Sequence, residues 1–305
     1  MELLKAHDKD LGGGFKVRRL LPAAARRSVG PFVFFDYFGP ATEHPQDQHD
    51  VRPHPHIGLA TVTYLFEGAL MHRDSIGSVR EIRPGAINWM TAGRGIVHSE
   101  RKPEALKSRT YVNHGLQLWA ALPQADEEVA PSFEHTPAAD IPALEVQGAR
   151  VRVLIGEAFG ACSPVKTFAP TLYLDIALPA GARFLLPALA AERAVYPVDG
   201  DLRIDGAPCP AHTMAALDEG RAVMLEAEAP VRLAVIGGAA LDGPRYLAWN
   251  FVSSRRERLQ QAADDWAAQR FDRMQRETEF IPLPERGFGL QPRQPTDSSV
   301  PGADL

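Results

Sequence analysis

The stretch from Arg52 to Glu100 reads RPHPHIGLATVTYLFEGALMHRDSIGSVREIRPGAINWMTAGRGIVHSE, and a pair of metal-ligand residues lies at each end of it. The first pair is His54 and His56, and the second is His98 and Glu100. Because successive side chains of a β-strand point to opposite faces, the members of each pair share one face. Two such strands side by side would direct three imidazoles and one carboxylate at a single point. The spacing therefore predicts a metal site on two neighbouring strands.

The donor set of this predicted site restricts the metal. Imidazole nitrogen with one carboxylate oxygen suits iron, manganese, nickel, copper or zinc better than calcium or magnesium. Four protein ligands leave two positions open on a six-coordinate ion, which indicates chemistry or binding of an outside ligand rather than a structural role. A single His-x-His pair is a weak motif, and such histidines can also be hydrogen-bonded at strand ends. The presence of two pairs favours the metal site.

Composition narrows the function classes. A chain of 305 residues is long enough for two domains. A net charge of -5 with scattered Lys and Arg argues against direct nucleic-acid binding. No apolar run follows the charged segment Met1 to Asp10, so neither a signal peptide nor membrane attachment is expected. Cys162 and Cys209 are far apart and are expected to be free thiols, which favours a cytoplasmic location.

Short apolar segments separated by Gly and Pro predict an all-β protein, a sandwich or barrel. Candidate strands cover residues 32–35, 60–66, 87–90, 95–99, 115–121, 150–155, 171–177, 201–204, 223–227 and 231–236. One long helix is expected near the C-terminus, beginning near Ser254 with a capping box to Glu257. Its apolar stripe, Leu259, Ala263, Trp266 and Phe271, predicts packing on its own domain rather than a binding face.

Two tandem domains are predicted from the organisation of the chain. The acidic, proline-containing segment 125–142 is typical of a crossing between domains, which gives 1–135 and 136–305, the latter with the terminal helix. The tail after Pro282 is expected to be a surface arm. The segment YLFEGAL at 64–70 is echoed by YPVDGDL at 196–202, which indicates one fold repeated. Counting back from each Tyr sets His54 against Leu186 and His56 against Ala188, so the second domain is predicted to be metal-free.

Several segments of the chain resemble the pirin family of the cupin superfamily. They are PHPHIG at 53–58, TVTY at 61–64, WMTAGRGI at 89–96, HSE at 98–100, HGLQLW at 114–119, FFD at 34–36 with FG at 38–39, and WNFVSS at 249–254. The resemblance implies a bicupin, that is, two antiparallel β-barrels in tandem. It also implies one metal ion in the N-terminal barrel, usually iron, held by residues that match His54, His56, His98 and Glu100.

The family resemblance implies two function classes. Some members act as quercetin 2,3-dioxygenases, which implies a small aromatic flavonol substrate and dioxygen. For such a reaction we expect Glu100 to serve both as a metal ligand and as the catalytic base that takes the proton of the substrate hydroxyl. Others are metal-dependent protein-binding cofactors in transcription or metabolism, which implies a protein partner. An unrelated small substrate is a third reading. A cavity open to a flat ligand above the metal would favour the enzyme, and a closed convex surface would favour the binding protein.

The chain departs from better-known members after the first histidine pair. Those members carry Arg and then Glu where this chain has Ile57 and Ala60, which is expected to make the pocket wall more apolar and to alter substrate preference. His114 and Gln117 are candidates to orient the metal-binding imidazoles, because such rings normally hydrogen-bond through their second nitrogen. The aromatic run from Phe32 to Phe38 could line a flat pocket, although core packing is the commoner role of such runs.

Overall fold

The computed structural model describes residues 1–10, 14–275 and 277–284. These residues form mostly β-strands, one α-helix and two short 3-10 helices, at Glu104–Leu106 and Gln124–Asp126. The strands are β1 Glu2–Lys5, β2 His7–Asp10, β3 Lys16–Leu21, β4 Phe32–Glu43, β5 Val51–His56, β6 Leu59–Glu67, β7 Leu70–Asp74, β8 Val79–Ile82, β9 Ile87–Thr91, β10 Ile96–Arg101, β11 Tyr111–Ala121, β12 Ser132–Thr136, β13 Ala143–Val146, β14 Ala149–Ile155, β15 Glu157–Ala158, β16 Ala161–Cys162, β17 Thr171–Leu178, β18 Ala182–Leu186, β19 Glu192–Asp199, β20 Leu202–Ile204, β21 Ala207–Cys209, β22 Thr213–Leu217, β23 Val223–Ala227, β24 Val231–Gly238, β25 Tyr246–Ala248 and β26 Phe251–Ser253. Every strand predicted from the sequence is present, and the all-β class is confirmed.

The two halves of the chain share one antiparallel topology. The first has a seven-stranded sheet ordered β12-β9-β6-β11-β4-β3-β2 and a four-stranded sheet ordered β5-β10-β7-β8. The second repeats this pattern as β1-β22-β19-β24-β17-β14-β13 and β18-β23-β20-β21. Tyr64 and Tyr196 lie on the corresponding strands β6 and β19, each followed by a glycine turn into the four-stranded sheet. The sequence echo therefore reflects equivalent positions.

The outer faces of the two seven-stranded sheets pack against each other. One buried cluster joins Phe35, Tyr64 and Leu116 of the first half to Tyr173 and Ile236 of the second. Aromatic side chains bury large areas, so this contact contributes much of the hydrophobic stabilisation between the halves. A separate, mostly aliphatic cluster fills the space between the two sheets of the second half.

The chain passes from one half to the other after β12. That strand pairs with β9 in the first half, whereas β13 pairs with β14 in the second, so residues 137–142 make the crossing. The strand β1 pairs with β22 and thus belongs to the sheet of the second half. The division into 1–135 and 136–305 stays a prediction.

The C-terminal helix α1 spans Arg256–Ala267, and the predicted capping box was wrong. Its N-cap is Arg255, with no side-chain cap, because Ser254 is instead hydrogen-bonded to the buried carboxylate of Glu127 through its backbone N–H (2.7 Å) and its hydroxyl (3.0 Å). Within the described ranges, this helix is not long and apolar enough to cross a membrane.

Packing of the helix stripe is confirmed, but its partner differs from the expected one. Leu259, Ala263 and Trp266 are buried against Ile57 and Val97 of the first half, together with the β25–β26 hairpin. The helix thereby covers the outer side of the strands that carry the histidine pairs. The predicted surface arm after Pro282 lies outside the described residues beyond its first two positions.

Candidate metal centre

Strands β5 and β10 are antiparallel neighbours, as the metal-site prediction requires. His98 is paired with His54, and Ile96 with His56, so the three imidazoles meet at one end of the pair. Their ligand atoms all lie within 4.8 Å of one another, and His56 Nε2 is 3.1 Å from His98 Nε2. All three residues are buried. The cluster of His54, His56 and His98 can hold a divalent metal ion.

The outward nitrogens of two rings are fixed by backbone carbonyls. His54 Nδ1 donates to the carbonyl of Arg52 at 2.8 Å, and His56 Nδ1 donates to the carbonyl of Asn250 at 3.0 Å. With the proton on Nδ1, each Nε2 carries a lone pair, which is the tautomer that binds a metal. The carbonyl of Asn250 comes from the turn between β25 and β26, so the second half of the chain completes the centre.

The third ring is backed by a polar pair from β7. His98 Nδ1 lies 3.5 Å from His72 Nδ1, and His72 Nε2 lies 3.0 Å from the Asp74 carboxylate. These groups occupy the orienting role that was predicted for His114 and Gln117. The prediction was wrong for His114, whereas Gln117 lines the cavity beside the cluster and its role stays a prediction. His114 contacts Tyr37 and Phe66, away from the cluster.

Burial keeps the three imidazoles neutral. Loss of hydration lowers the pKa of His54 to about 4 and holds the pKa values of His56 and His98 well below the ordinary range, with neighbouring imidazoles adding to the effect. Neutral imidazole nitrogen is the donor that first-row transition metals bind. The inward Nε2 atoms, the fixed tautomers and the neutral rings together fit a transition metal.

Glu100 lies beside the cluster but outside the group of converging atoms. The pairing of β10 with β5 shifts register between His98 and Glu100, and the Thr63 hydroxyl donates to Glu100 Oε1 at 3.3 Å. Burial raises the pKa of the Glu100 carboxyl. Its assignment as the fourth metal ligand stays a prediction.

A cavity of about 500 Å³ opens over the three histidines, and Glu100 is part of its wall. Phe34 and Trp119 stack in this wall with ring centroids 3.9 Å apart and planes 9° apart. The Arg19 guanidinium lies 4.2 Å from the centroid of the Phe34 ring and forms two hydrogen bonds with Asp36, at 2.8 and 2.7 Å. The space is therefore bounded by flat, rigid side chains and a fixed ion pair.

The aromatic run on β4 divides between two roles, following strand alternation from Phe34 to Phe38, with a register shift between Phe32 and Phe34. Phe34 and Phe38 line the cavity, whereas Phe32, Phe35 and Tyr37 pack in the contact between the two halves. Core packing thus accounts for most of the run.

The expected effect of Ile57 and Ala60 on the pocket wall was wrong. Ile57 is 1% exposed and packs under Phe251 and the terminal helix, and Ala60 is fully buried in the core between the halves. Neither residue lines the cavity. Ile57 therefore lies behind the histidine strand and Ala60 lies between the two halves, so neither forms the surface that faces a ligand.

Sequence reasoning missed several residues of this site. Leu247, Trp249 and Asn250 line the cavity from the second half of the chain, and only their tertiary position reveals this. His72 and Asp74 did carry a signal, since they show the same alternate spacing on a strand as the two predicted ligand pairs.

A second group with metal-ligand side chains consists of Glu43, Asp47 and His49. His49 Nδ1 lies 2.8 and 3.0 Å from the two carboxylate oxygens of Glu43, which is buried. The Lys102 ammonium is 3.9 Å from the same carboxylate and donates to the His44 carbonyl at 2.7 Å. The Glu43 carboxylate is therefore already held by the His49 ring and lies near the Lys102 ammonium.

Comparisons with known proteins agree with the fold. The family profile described as Pirin matches residues 14–120, and the one described as Pirin C-terminal cupin domain matches residues 173–272. A pirin-like protein of Caulobacter vibrioides is 46% identical over 284 residues, which cover 92% of this chain and 98% of that protein.

Two solved structures extend the comparison. A quercetin 2,3-dioxygenase from Acinetobacter baumannii has a TM-score of 0.88 at 33% identity, covering 95% of this chain and 97% of the other. The bacterial pirin YhhW from Escherichia coli, in complex with nickel(II), has a TM-score of 0.62 at 19% identity over 79% of this chain and 99% of the other, and shows the fold alone. The full-length match to the Caulobacter protein, the two family profiles and the repeated antiparallel topology lead to one conclusion: this chain belongs to the pirin family of the cupin superfamily.

Proposed function

We propose that this protein is a metal-dependent dioxygenase that acts on flavonols such as quercetin. The observation that carries the proposal is the cavity of about 500 Å³ directly over three neutral imidazoles, walled by the Phe34–Trp119 stack. Enzyme pockets for small ligands are mostly apolar, of this volume, and contain a few placed polar groups. The relative from Acinetobacter baumannii that bears the quercetin 2,3-dioxygenase name supports the same activity.

The proposed metal ligands are His54, His56, His98 and Glu100, with iron as the metal. The convergent Nε2 atoms and the outward hydrogen bonds of the rings support the histidine part of this set. Imidazole with carboxylate also accepts manganese, nickel, copper and zinc. A bound ion would supply Lewis acidity toward the substrate oxygens and the capacity to react with dioxygen.

The protein's own residues would bind and orient the flavonol. The stacked pair of Phe34 and Trp119 offers a flat apolar wall, and the fixed Arg19–Asp36 pair offers polar atoms at its edge. The Glu100 carboxylate would accept the proton of the substrate hydroxyl at an Oε atom. Burial raises the pKa of this carboxyl, which favours uptake of a proton in the absence of a bound metal.

The proposal extends to the second half, which would hold no metal. Leu186 is paired with Val223 on β18 and β23, the strands that correspond to β5 and β10, where His54 is paired with His98. Both residues belong to the aliphatic cluster that fills this half. Apolar side chains would occupy the space that the first half leaves open as a cavity.

The alternative function is a non-enzymatic, iron-dependent protein-binding cofactor. In that case a metal would be expected beneath a closed convex surface that a partner protein could cover. The three histidines instead border a cavity, which favours the enzyme over the binding protein.

The deciding experiment measures oxygen consumption and loss of flavonol absorbance with iron-loaded protein and quercetin. Wild type should exceed free iron at equal concentration, and Glu100→Gln should lose most of this rate while retaining some metal. The matched control is Glu104→Gln, because the Glu104 side chain is 87% exposed and does not line the cavity. Activity no greater than that of free iron, or full activity in Glu100→Gln, would sink the proposed enzyme and favour the binding protein.

A further inference from the structure

A second cavity, here called the arginine cavity, lies between the two halves of the chain. It has a volume of about 300 Å³ and is bounded by Phe66 and Gly85 of the first half and by Arg150, Arg152, Asp175 and Arg232 of the second. Its wall thus contains three guanidinium groups and one carboxylate. This excess of positive charge contrasts with the net charge of -5 of the chain.

Sheet register brings the arginines onto one face. Arg150 is paired with Ala177 on β17, and Ala177 is paired with Arg232 on β24, so the two arginines flank an alanine. Adjacent strands are about 4.8 Å apart, which puts the two arginine backbones roughly 10 Å apart, within reach of one small ligand. Ala177 is exposed and forms an open floor between them.

The single carboxylate of the cavity wall, that of Asp175, is already hydrogen-bonded and ion-paired within the protein. Asp175 accepts hydrogen bonds from Arg232 Nε at 2.8 Å, from Arg232 Nη2 at 2.5 Å and from the Tyr64 hydroxyl at 2.6 Å. The charge of Asp175 is therefore matched by Arg232 alone. The charges of the other two arginines are not matched by a carboxylate in this wall.

Arg150 and Arg152 have donors left over. Arg150 is exposed, and its side chain makes no hydrogen bond or ion pair with any other residue that the structure describes. Arg152 Nη2 donates to the carbonyls of Gly85 and Ala138, both at 2.9 Å, whereas Arg152 Nε is buried without a partner. A buried donor without an acceptor is costly, and this one lies in the wall of a cavity that already carries an excess of positive charge.

We propose that the arginine cavity binds a phosphate dianion, either free or as part of a small phosphomonoester. Guanidinium groups form paired hydrogen bonds with phosphate oxygens, and two uncompensated positive charges match a dianion. The Phe66 ring, with the Arg232 guanidinium 4.5 Å from its centroid, provides an apolar surface for an organic substituent. The ligand would contact both halves of the chain and stabilise their association.

The test is calorimetric titration of the full-length protein with inorganic phosphate and with phenyl phosphate at low chloride. Each titration is run on metal-loaded and on chelator-treated protein, so that binding at the histidine centre is recognised by its loss on chelation. Saturable binding that survives chelation is expected, and the tighter of the two probes identifies the free or the esterified form. A rise in the thermal unfolding midpoint with phosphate should accompany it.

Two variants and one control locate the binding. Arg150→Gln should weaken it at least tenfold, and Ala177→Glu should weaken it further by placing a carboxylate on the cavity floor. Arg183→Gln removes an arginine of the same half that is 70% exposed and should bind as wild type does. Absence of saturable binding, or equal affinity in all three variants, would overturn the proposal.

Discussion

Replacing Glu127 by Gln is expected to lower the free energy of unfolding by about 3 kcal/mol. The Glu127 side chain is 3% exposed, and its carboxylate lies 3.0 Å from Arg245 Nε, which is 2% exposed. The same carboxylate accepts hydrogen bonds from Ser253 Oγ at 3.0 Å and from the backbone N–H and the hydroxyl of Ser254. Removing one charge of a buried pair costs about 3–5 kcal/mol, because the other charge stays buried.

The lower end of this range applies because Arg245 keeps other partners. Its guanidinium still contacts the half-exposed Asp242 and donates to the Leu122 carbonyl at 2.8 Å. The substitution should also weaken metal binding, since the Glu127 carboxylate anchors the hairpin that presents the Asn250 carbonyl to His56.

Urea unfolding of chelator-treated protein, followed by tryptophan fluorescence, measures the change from the shift of the midpoint. The matched control is Glu128→Gln, one residue further on. Glu128 is 44% exposed and pairs with Arg255 and Arg258 at the surface, so its loss should cost less than about 1 kcal/mol. A Glu127→Gln effect below 1 kcal/mol, or one equal to that of the control, would refute the reasoning.

Three further outcomes are expected. His72→Ala should lower metal affinity about 10- to 100-fold in competition with a chelator while Arg73→Ala does not, because only His72 backs the His98 ring; equal affinities would contradict this role. Metal analysis of untagged protein should give one equivalent per chain and a large loss in His56→Ala, whereas two tightly held equivalents would argue against a metal-free second half. One thiol should react with a thiol reagent at pH 8 in native protein and two after denaturation: Cys162 is exposed, whereas burial raises the pKa of the Cys209 thiol to about 11 and leaves on the order of 0.1% thiolate. Rapid reaction of both thiols in native protein would show that Cys209 is accessible.

The histidine centre shows how much of a metal site can be predicted from the spacing of residues along a strand. Alternation along a strand is a property of the backbone, so His54 and His56 share a face in any strand that contains them. The convergence of the three imidazoles followed from this spacing once β5 and β10 were neighbours. The position of the Glu100 carboxylate depends also on a register shift within β10, which alternation alone does not contain.

The groups that surround the metal centre could not be predicted from the spacing of residues along the chain. The carbonyl that fixes His56 belongs to Asn250, 194 residues away in the chain. The acidic run at 126–128 belongs to the segment predicted as a crossing between domains, and that pattern did not distinguish its members: Glu127 is buried against Arg245, while its neighbour Glu128 is at the surface. Burial of one charge and exposure of the next depend on which distant groups fold against them.

The sequence by itself determined the strand-rich class, the repeat of one topology and the histidine triad, because each follows from short-range periodicity and spacing. Tertiary structure decided which residues face the cavity, how the imidazole tautomers are fixed and where the terminal helix packs. Ile57 illustrates this difference. The sequence shows that it follows the ligand pair, but only the tertiary structure shows that it is buried under Phe251 and the helix. Contacts between residues far apart in the chain form only when the hydrophobic core closes, and no local spacing records them.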